Sequence, residues 1–467
     1  MRSGFSVFGG AMVNLLDLIN KFVWGIPVLF LILAVGIGLS VGSRFAQIRL
    51  LPLAMRNFLQ SFRIKEKSDG ISGYRALCTA LAATVGTGNI AGVAGAIAIG
   101  GPGVVFWMWV SAVLGMITKF AEVTLAVHFR RRNTAGDYIG GPMYMILSGL
   151  PRKYHILSYL YAFFGVVAAF GIGNATQVNA VMDGLKSIGK IMDVSFGVRE
   201  SLAVGVIIAL LIILIFSKGV EGIASWAETL VPFAACMYVV FSLGILLRRA
   251  DRLVYTLSCI LQGAFSPESA TCGVLSSVFL SLRVGISRGV FTNEAGMGTA
   301  SIAHASANVS DPVQQGMMGI VEVFLDTIVI CTLTAFVILC SDLRIPYGTD
   351  PGITLTLDAF ASVYGDWIRI VLTGLVCIFA FATILGWSLY GARCAQFLFG
   401  DGIWKAFTYT QACGVVLGVV LNTGVVWVLA EILNGLMALP NLIALIFLSP
   451  EFYRLVDRYQ IKKNAHS

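Results

Sequence analysis

The 467-residue chain is 57% hydrophobic and only 12% charged, with a mean hydropathy of +0.86. Soluble domains carry about 25% charged residues, so the composition excludes a water-soluble globular protein. The net charge of +8 calls for no nucleic-acid partner, because Lys and Arg crowded into the loops on one face of a membrane supply such an excess.

Apolar stretches of roughly 17–25 residues, the length that crosses a bilayer, recur along the chain. The first covers 23–41; it lies beyond twenty mostly unbasic residues and no small-residue cleavage site follows, unlike a signal peptide. A basic, partly amphipathic stretch at 44–67 is expected to rest on the membrane surface. Further spans are read at 76–99, 103–128, 156–180, 201–217, 225–248, 277–308, 316–340, 367–396, 406–422 and 424–448, eleven in all. Arg44, Arg49, Arg56, Arg63, Lys65, Lys67 and Arg75 place the first loop in the cytoplasm, and Arg130, Arg131, Arg132, Arg152 and Lys153 fall on the same side. The tail agrees through Arg454, Arg458, Lys462 and Lys463, while Arg248, Arg249 and Arg252 run against the rule. The expected topology has the N-terminus outside and the C-terminus in the cytoplasm.

Two polar, glycine-rich runs interrupt these spans: Thr84-Val-Gly-Thr-Gly-Asn89 and Phe291-Thr-Asn-Glu-Ala-Gly-Met-Gly-Thr299. Hydrocarbon satisfies no freed backbone N–H or C=O, so such breaks persist where they line a solute or ion site. The broken spans are the first and sixth once 23–41 is set aside. Five spans per repeat is an odd number, so equivalent helices cross in opposite directions, the signature of an inverted repeat with its site at mid-membrane. The expected divisions are an accessory helix and basic segment (1–75), a first five-helix repeat (76–248), a second (249–448) and a cytoplasmic tail (449–467). Two matched breaks point to a transporter.

In the first break, Gly86 and Gly88 let the backbone leave helical geometry. The half-helix starting near Gly88 presents free N–H groups that suit a carboxylate. The half before it ends in carbonyls from Ala82 to Val85 that suit Na⁺, with the Asn89 side-chain carbonyl beside them. In the second break Gly289, Gly296 and Gly298 are the expected flexible points, with Thr292, Asn293 and Glu294 between them. Two roles compete for Glu294: pairing with Arg288 or Arg283 to hold the unwound backbone, which is favoured, or binding a cation or proton. His304 reads as a packing histidine. Asn174 and Gln177 stand three apart on one helical face, Asn174 serving equally as an interhelical hydrogen-bond partner. Thr383 and Trp387, four apart, are a candidate cation ligand and a candidate pocket wall. Lys119 and Glu122 read as an intrahelical pair, Glu322 and Asp326 as a like-charge spacing, all structural by default.

Nine cysteines and four histidines form no CxxC or mixed metal-ligand spacing, and no GxxxxGK[ST] run encodes an ATP motor. No cluster expected of an intramembrane enzyme is visible.

Leu77-Cys-Thr-Ala-Leu-Ala-Ala-Thr-Val-Gly-Thr-Gly-Asn-Ile-Ala-Gly-Val-Ala94 resembles the first-core-helix signature of alanine/glycine:cation symporters. Gly100-Gly-Pro-Gly103 with Phe106-Trp-Met-Trp109, Gly140-Gly-Pro-Met-Tyr144, and Thr292-Asn-Glu-Ala-Gly-Met-Gly298 with Ile302-Ala-His-Ala305 resemble its later motifs, in order, over about 20–450. The resemblance implies an all-α leucine-transporter-type fold with 5+5 inverted repeats and an extra N-terminal helix. It implies Na⁺-coupled uptake of L-alanine, glycine or D-alanine through the plasma (inner) membrane of a prokaryote. Protons driving the same solutes, with Glu294 or Glu322 titrating, are the rival reading. Carried over by position, Thr87, Gly88 and Asn89 would meet the substrate with Gln177, Asn293 and Trp387 around it, and Met297 and Phe170 as apolar walls. Ala82 and Val85 carbonyls with the Thr383 hydroxyl would hold Na⁺. The expected partners are a small neutral amino acid, sodium and the lipid bilayer, with no obligate protein. Two departures stand out: Ser301 where the family usually has Pro, and Ala392-Arg393 where Glu-Lys is usual. Ala382 also replaces a common serine beside Thr383.

Overall fold

Inside hydrocarbon an apolar segment satisfies its backbone only by closing its own hydrogen bonds, and the chain is accordingly helical almost throughout. The computed structural model describes residues 16, 18–20, 22–62, 70–193, 196–265, 278–419 and 423–464. In order the helices are α1 (Ile26–Gly42), α2 (Ala46–Ser61), α3 (Gly73–Thr84), α4 (Ala91–Gly100), α5 (Val104–His128), α6 (Pro142–Gly149), α7 (Ile156–Phe170), α8 (Thr176–Met192), α9 (Val198–Phe216) and α10 (Gly219–Arg248). Then follow α11 (Leu253–Phe265), α12 (Val278–Asn293), α13 (Thr299–Ala305), α14 (Pro312–Val323), α15 (Thr332–Cys340), α16 (Thr354–Tyr364), α17 (Trp367–Phe399), α18 (Trp404–Gly418) and α19 (Thr423–Asn464). A two-residue antiparallel hairpin, Arg131–Arg132 with Tyr138–Ile139, is the sheet among the described residues.

Seven continuous helical runs are long and apolar enough to cross a membrane, two of them joining α7 to α8 and α14 to α15 through π-helical turns, and two bent pairs bring the number to as many as nine among the described residues. One pair is α1 with α2, which turns by 79° and carries the stretch expected to lie on the surface; Arg63, Lys65 and Lys67 lie outside the described residues. The other is the first broken span, bent by 57° between Gly73–Thr84 and Thr87–Gly100. The expected span at 277–308 consists of the two short helices α12 and α13, residue 277 lying outside the described residues. The span expected at 406–422 is the 15-residue α18, with 420–422 likewise outside. The segment expected as a tail from 449 continues α19 to Asn464.

Helix α5 packs most extensively against α14 and α12, and α17 against α7 and α10. Helix α3 lies among α10, α13 and α17. The close approach of α17 to α3 depends on Gly386: a Cβ there would stand 2.7 Å from Ala83 Cβ and 2.9 Å from its backbone nitrogen. On the outer faces, Ile207, Leu210 and Leu214 of α9 and Phe233 and Val240 of α10 are exposed, an arrangement that water penalises and lipid does not.

Candidate functional site

Both breaks form where the sequence places them and face each other in the interior. In the first, α3 ends at Thr84 and Gly86 is extended. Its N–H, which a continuing helix would give to the Ala82 carbonyl, donates instead to Asn89 Oδ1 at 2.9 Å. That leaves Ala82 without its helical donor. Among the described residues the Thr87 and Gly88 N–H groups have no backbone acceptor. Gly88 comes within 3.6 Å of the Thr292 Cγ2 methyl, measured from where a Cβ would sit, so the first break touches the last turn of α12.

The Asn89 side chain carries the largest change from expectation. Its carbonyl is spent on Gly86, and its Nδ2 donates to Asp326 Oδ1 at 2.7 Å. Asp326 Oδ2 accepts from Thr327 Oγ1 at 2.8 Å, and Thr327 Oγ1 accepts from Asn293 Nδ2 at 3.1 Å. One buried carboxylate therefore joins the first break to the second. Asp326 lies in a π-helical turn, Phe324–Cys331, between α14 and α15. The extra residue in that turn lets Glu322 and Asp326, expected as stacked like charges, reach different partners. A lone acid inside a span was the available signal for this role.

The second break differs in extent from the expectation. Phe291, Thr292 and Asn293 remain helical, and the unwound stretch is Glu294–Gly298. Glu294, Gly296 and Gly298 take the left-handed backbone at φ 55°, 92° and 76°. Gly289 is a packing glycine and no flexible point: a Cβ there would lie 2.7 Å from Ser111 Oγ on α5. The expected pairing of Glu294 with Arg288 is not formed. Arg288 binds Glu431 at 3.0 Å, and the Glu294 carboxylate accepts from Thr299 Oγ1 in the first turn of α13. Met297 is buried within the unwound stretch, its N–H on the Glu294 carbonyl at 3.2 Å.

Glu122 holds this second break rather than pairing with Lys119 along the helix. Its Oε1 accepts from Gly296 N at 2.9 Å, Gly298 N at 3.1 Å and Asn441 Nδ2 at 2.6 Å. Lys119 reaches Glu322 instead, at 3.3 Å, both side chains fully buried. Glu322 Oε2 also meets His304 Nε2 at 3.0 Å. Gln315 Nε2 donates to the Gly73 carbonyl at 3.1 Å and faces His304 Nδ1 at 2.7 Å. With the amide nitrogen donating to Nδ1, the facing Nε2 is the ring nitrogen left to donate to Glu322. His304 is thus a working member of a buried chain.

Around the first break the remaining predicted residues separate into two groups. Gln177 belongs to the site, its Oε1 accepting from Thr87 Oγ1 at 2.9 Å. Trp387 is fully buried and packs over Gly173, where a Cβ would lie 3.1 Å from its Cγ. Thr383 Oγ1 stands 2.5 Å from the position a Cβ would take on Gly86; it is buried and has no hydrogen-bond partner among the described residues. Asn174 and Phe170 turn away. Asn174 donates to Gln411 O at 3.1 Å, and the Phe170 ring lies 5.8 Å from that of Phe407 and against Gly414. The cause is the π-helical turn Gly171–Ala175, whose added residue shifts the phase of the helix between Asn174 and Gln177.

The Thr383 hydroxyl, buried without a hydrogen-bond partner among the described residues, and the Ala82 carbonyl, which has lost its helical donor, are two hard oxygen groups at this break. Oxygen donors of this kind suit a hard cation.

A family model described as the sodium:alanine symporter family matches residues 10–467. Among curated proteins, the sodium/alanine symporter AgcS of Methanococcus maripaludis is 40% identical over 441 residues, 94% of this chain and 95% of that one. An uncharacterized transporter of Haemophilus influenzae is 42% identical over 440 residues, 93% of each chain. The probable sodium/glutamine symporter GlnT of Bacillus subtilis is 34% identical, covering 97% of this chain and 91% of its own. Among solved structures, that of MhsT in complex with L-phenylalanine matches with a TM-score of 0.58 at 16% identity, over 83% of this chain and 99% of that one. That likeness concerns the fold.

Proposed function

The chain belongs to the sodium:alanine symporter family, and from that premise we propose that it imports a small neutral amino acid, L-alanine, glycine or D-alanine, together with Na⁺ by alternating access. The bundle is read as a 5+5 inverted repeat with α1 as an extra helix, eleven spans in all, in the inner membrane of a prokaryote with its N-terminus outside. The observation that carries the reading is the Thr383 hydroxyl, buried beside Gly86 with no hydrogen-bond partner among the described residues.

On this reading Na⁺ binds first, between the Ala82 and Val85 carbonyls and Thr383 Oγ1, and ties the end of α3 to α17. The amino-acid carboxylate then docks on the free Thr87 and Gly88 N–H groups. Thr87 exchanges its bond to Gln177 for one to the solute. Trp387, Met297 and the Thr292–Asn293 edge close around a short side chain. Asn89, through Asp326, transmits occupancy of the first break to the second, so the two unwound segments move together. Sodium and alanine in the name of AgcS, at 40% identity, support the ion and the substrate class; the glutamine in the name of GlnT makes glutamine the competitor to include.

The test is Na⁺ activation of alanine uptake in proteoliposomes. Thr383→Ala raises the Na⁺ concentration for half-maximal uptake at least tenfold, worth about 1.4 kcal/mol of ion binding, while the purified protein keeps its elution profile. Unchanged sodium activation would remove Thr383 from the ion site.

A further inference from the structure

Arg393, one of the departures from the family pattern, is a cation with only 3% exposure near the end of α17. One side of its guanidinium is firmly held. Nη1 donates to Gln396 Oε1 at 2.7 Å, and Gln396 Nε2 donates to Asp401 Oδ1 at 2.5 Å. Asp401 Oδ2 accepts from the Thr134 N–H at 3.1 Å. The hydrogen bonds from Thr134 and Gln396 keep the Asp401 carboxyl below the usual carboxylate range, so this anchor stays charged. The other side of the guanidinium is unpaired, with the Trp404 ring 5.5 Å from its Cζ. Nε and Nη2, the pair of donors that grips a carboxylate side-on, have no hydrogen-bond acceptor among the described residues. The Asp137 carboxylate stands 3.9 Å from Nη2, too far to satisfy it, on a hairpin side chain that is 56% exposed.

Two polar clefts meet at this residue. One, of about 280 Å³, contains the anchor, Gln396 and Asp401. The other, of about 360 Å³, is lined by Arg132, Lys218, Asp137 and Glu221 and by residues flanking both broken spans, Ile71 before α3 and Ser306 after α13. The second cleft thus borders the ends of α3 and α13 that lie away from the breaks. A buried arginine with an open, pre-oriented fork is a group awaiting an oxyanion. Because acids share the cleft with the bases, a zwitterion matches it, its ammonium beside Glu221 and the displaced Asp137, whereas a polyanion faces two carboxylates.

We propose that the Nε–Nη2 fork of Arg393 is a second, weaker binding station for the amino acid on the exit side of the transport path, where the solute carboxylate displaces Asp137. The proposal rests on the symport reading above. It is tested by equilibrium binding of radiolabelled alanine to the purified full chain, in NaCl and in KCl. The wild type binds with two components, one requiring sodium and a weaker one that does not. Arg393→Gln removes the weak component and keeps the sodium-dependent one, which also certifies that the variant is folded. Arg393→Lys, with no fork, retains under a tenth of the weak affinity. Asp137→Asn, which removes the internal competitor, strengthens it at least threefold. A wild type with no sodium-independent component, or one that survives Arg393→Gln, would overturn the station. Displacement of the weak component by acetate or phosphate as well as by unlabelled alanine would assign the fork to free oxyanions and overturn the exit role. Absence of the sodium-dependent component in the wild type would instead count against the symport reading.

Discussion

At the scale of single residues, two buried arrangements decide what the interior tolerates. The first is the contact between Gly86 and Thr383. A methyl group on Gly86 would meet the Thr383 hydroxyl at 2.5 Å, the same oxygen assigned to sodium. Gly86→Ala is therefore expected to abolish alanine uptake while the protein still reaches the membrane, measured as initial uptake rate normalised to membrane abundance; retention of more than half the rate would show that the two groups do not meet. The second is Lys119 with Glu322, an ion pair from which water is excluded. Breaking such a pair strands a charge and costs about 3–5 kcal/mol, whereas removing both partners is close to neutral. Lys119→Met should lower the melting temperature sharply, and Lys119→Met with Glu322→Gln should recover most of it. Equal loss in the single and double variants would mean that the stabilisation comes from packing of the lysine stem.

At the scale of elements, each broken span is held by an acid from a neighbouring helix. Asp326 serves the first through Asn89, and Glu122 serves the second through two backbone N–H groups. Removing a partner of a buried donor costs about 1–3 kcal/mol for each group left unsatisfied. Glu122→Ala should thus destabilise the protein and reduce uptake more than tenfold, with Glu122→Gln, which still offers one acceptor, in between; the ordering is read from uptake rates and thermal unfolding on the same preparations. The breaks themselves were legible in the sequence, because Gly, Thr and Asn clustered inside an apolar span free backbone groups that hydrocarbon cannot satisfy. Their staples were not. Glu122 and Lys119 at three-residue spacing look like a pair on one helix, and only the fold shows each turned to a different neighbour. The two π-helical turns were equally hidden, since one extra residue in a turn leaves no mark in hydropathy. The turn at Gly171–Ala175 sets Asn174 and Phe170 toward Gln411 and Phe407 while Gln177 faces Thr87.

At the scale of the whole molecule, α5 packs against α12 and α14, α17 packs against α7 and α10, and α3 lies among α10, α13 and α17. On the symport reading proposed above, an ion held by the end of α3 and Thr383 would tie α3 to α17, and its departure would loosen that contact. Length and hydropathy were enough to predict a multi-span bundle. Short helices such as α12, α13 and α18 fall below the length that hydropathy alone recognises as a span. Sodium coupling is tested most directly by uptake of labelled alanine into reconstituted protein under an inward Na⁺ gradient, compared with an inward H⁺ gradient in sodium-free medium. The expected result is alanine accumulation above the external concentration with the Na⁺ gradient, collapse of that accumulation by a sodium ionophore, and none with protons alone. Accumulation driven by the H⁺ gradient without sodium would refute sodium as the coupling ion.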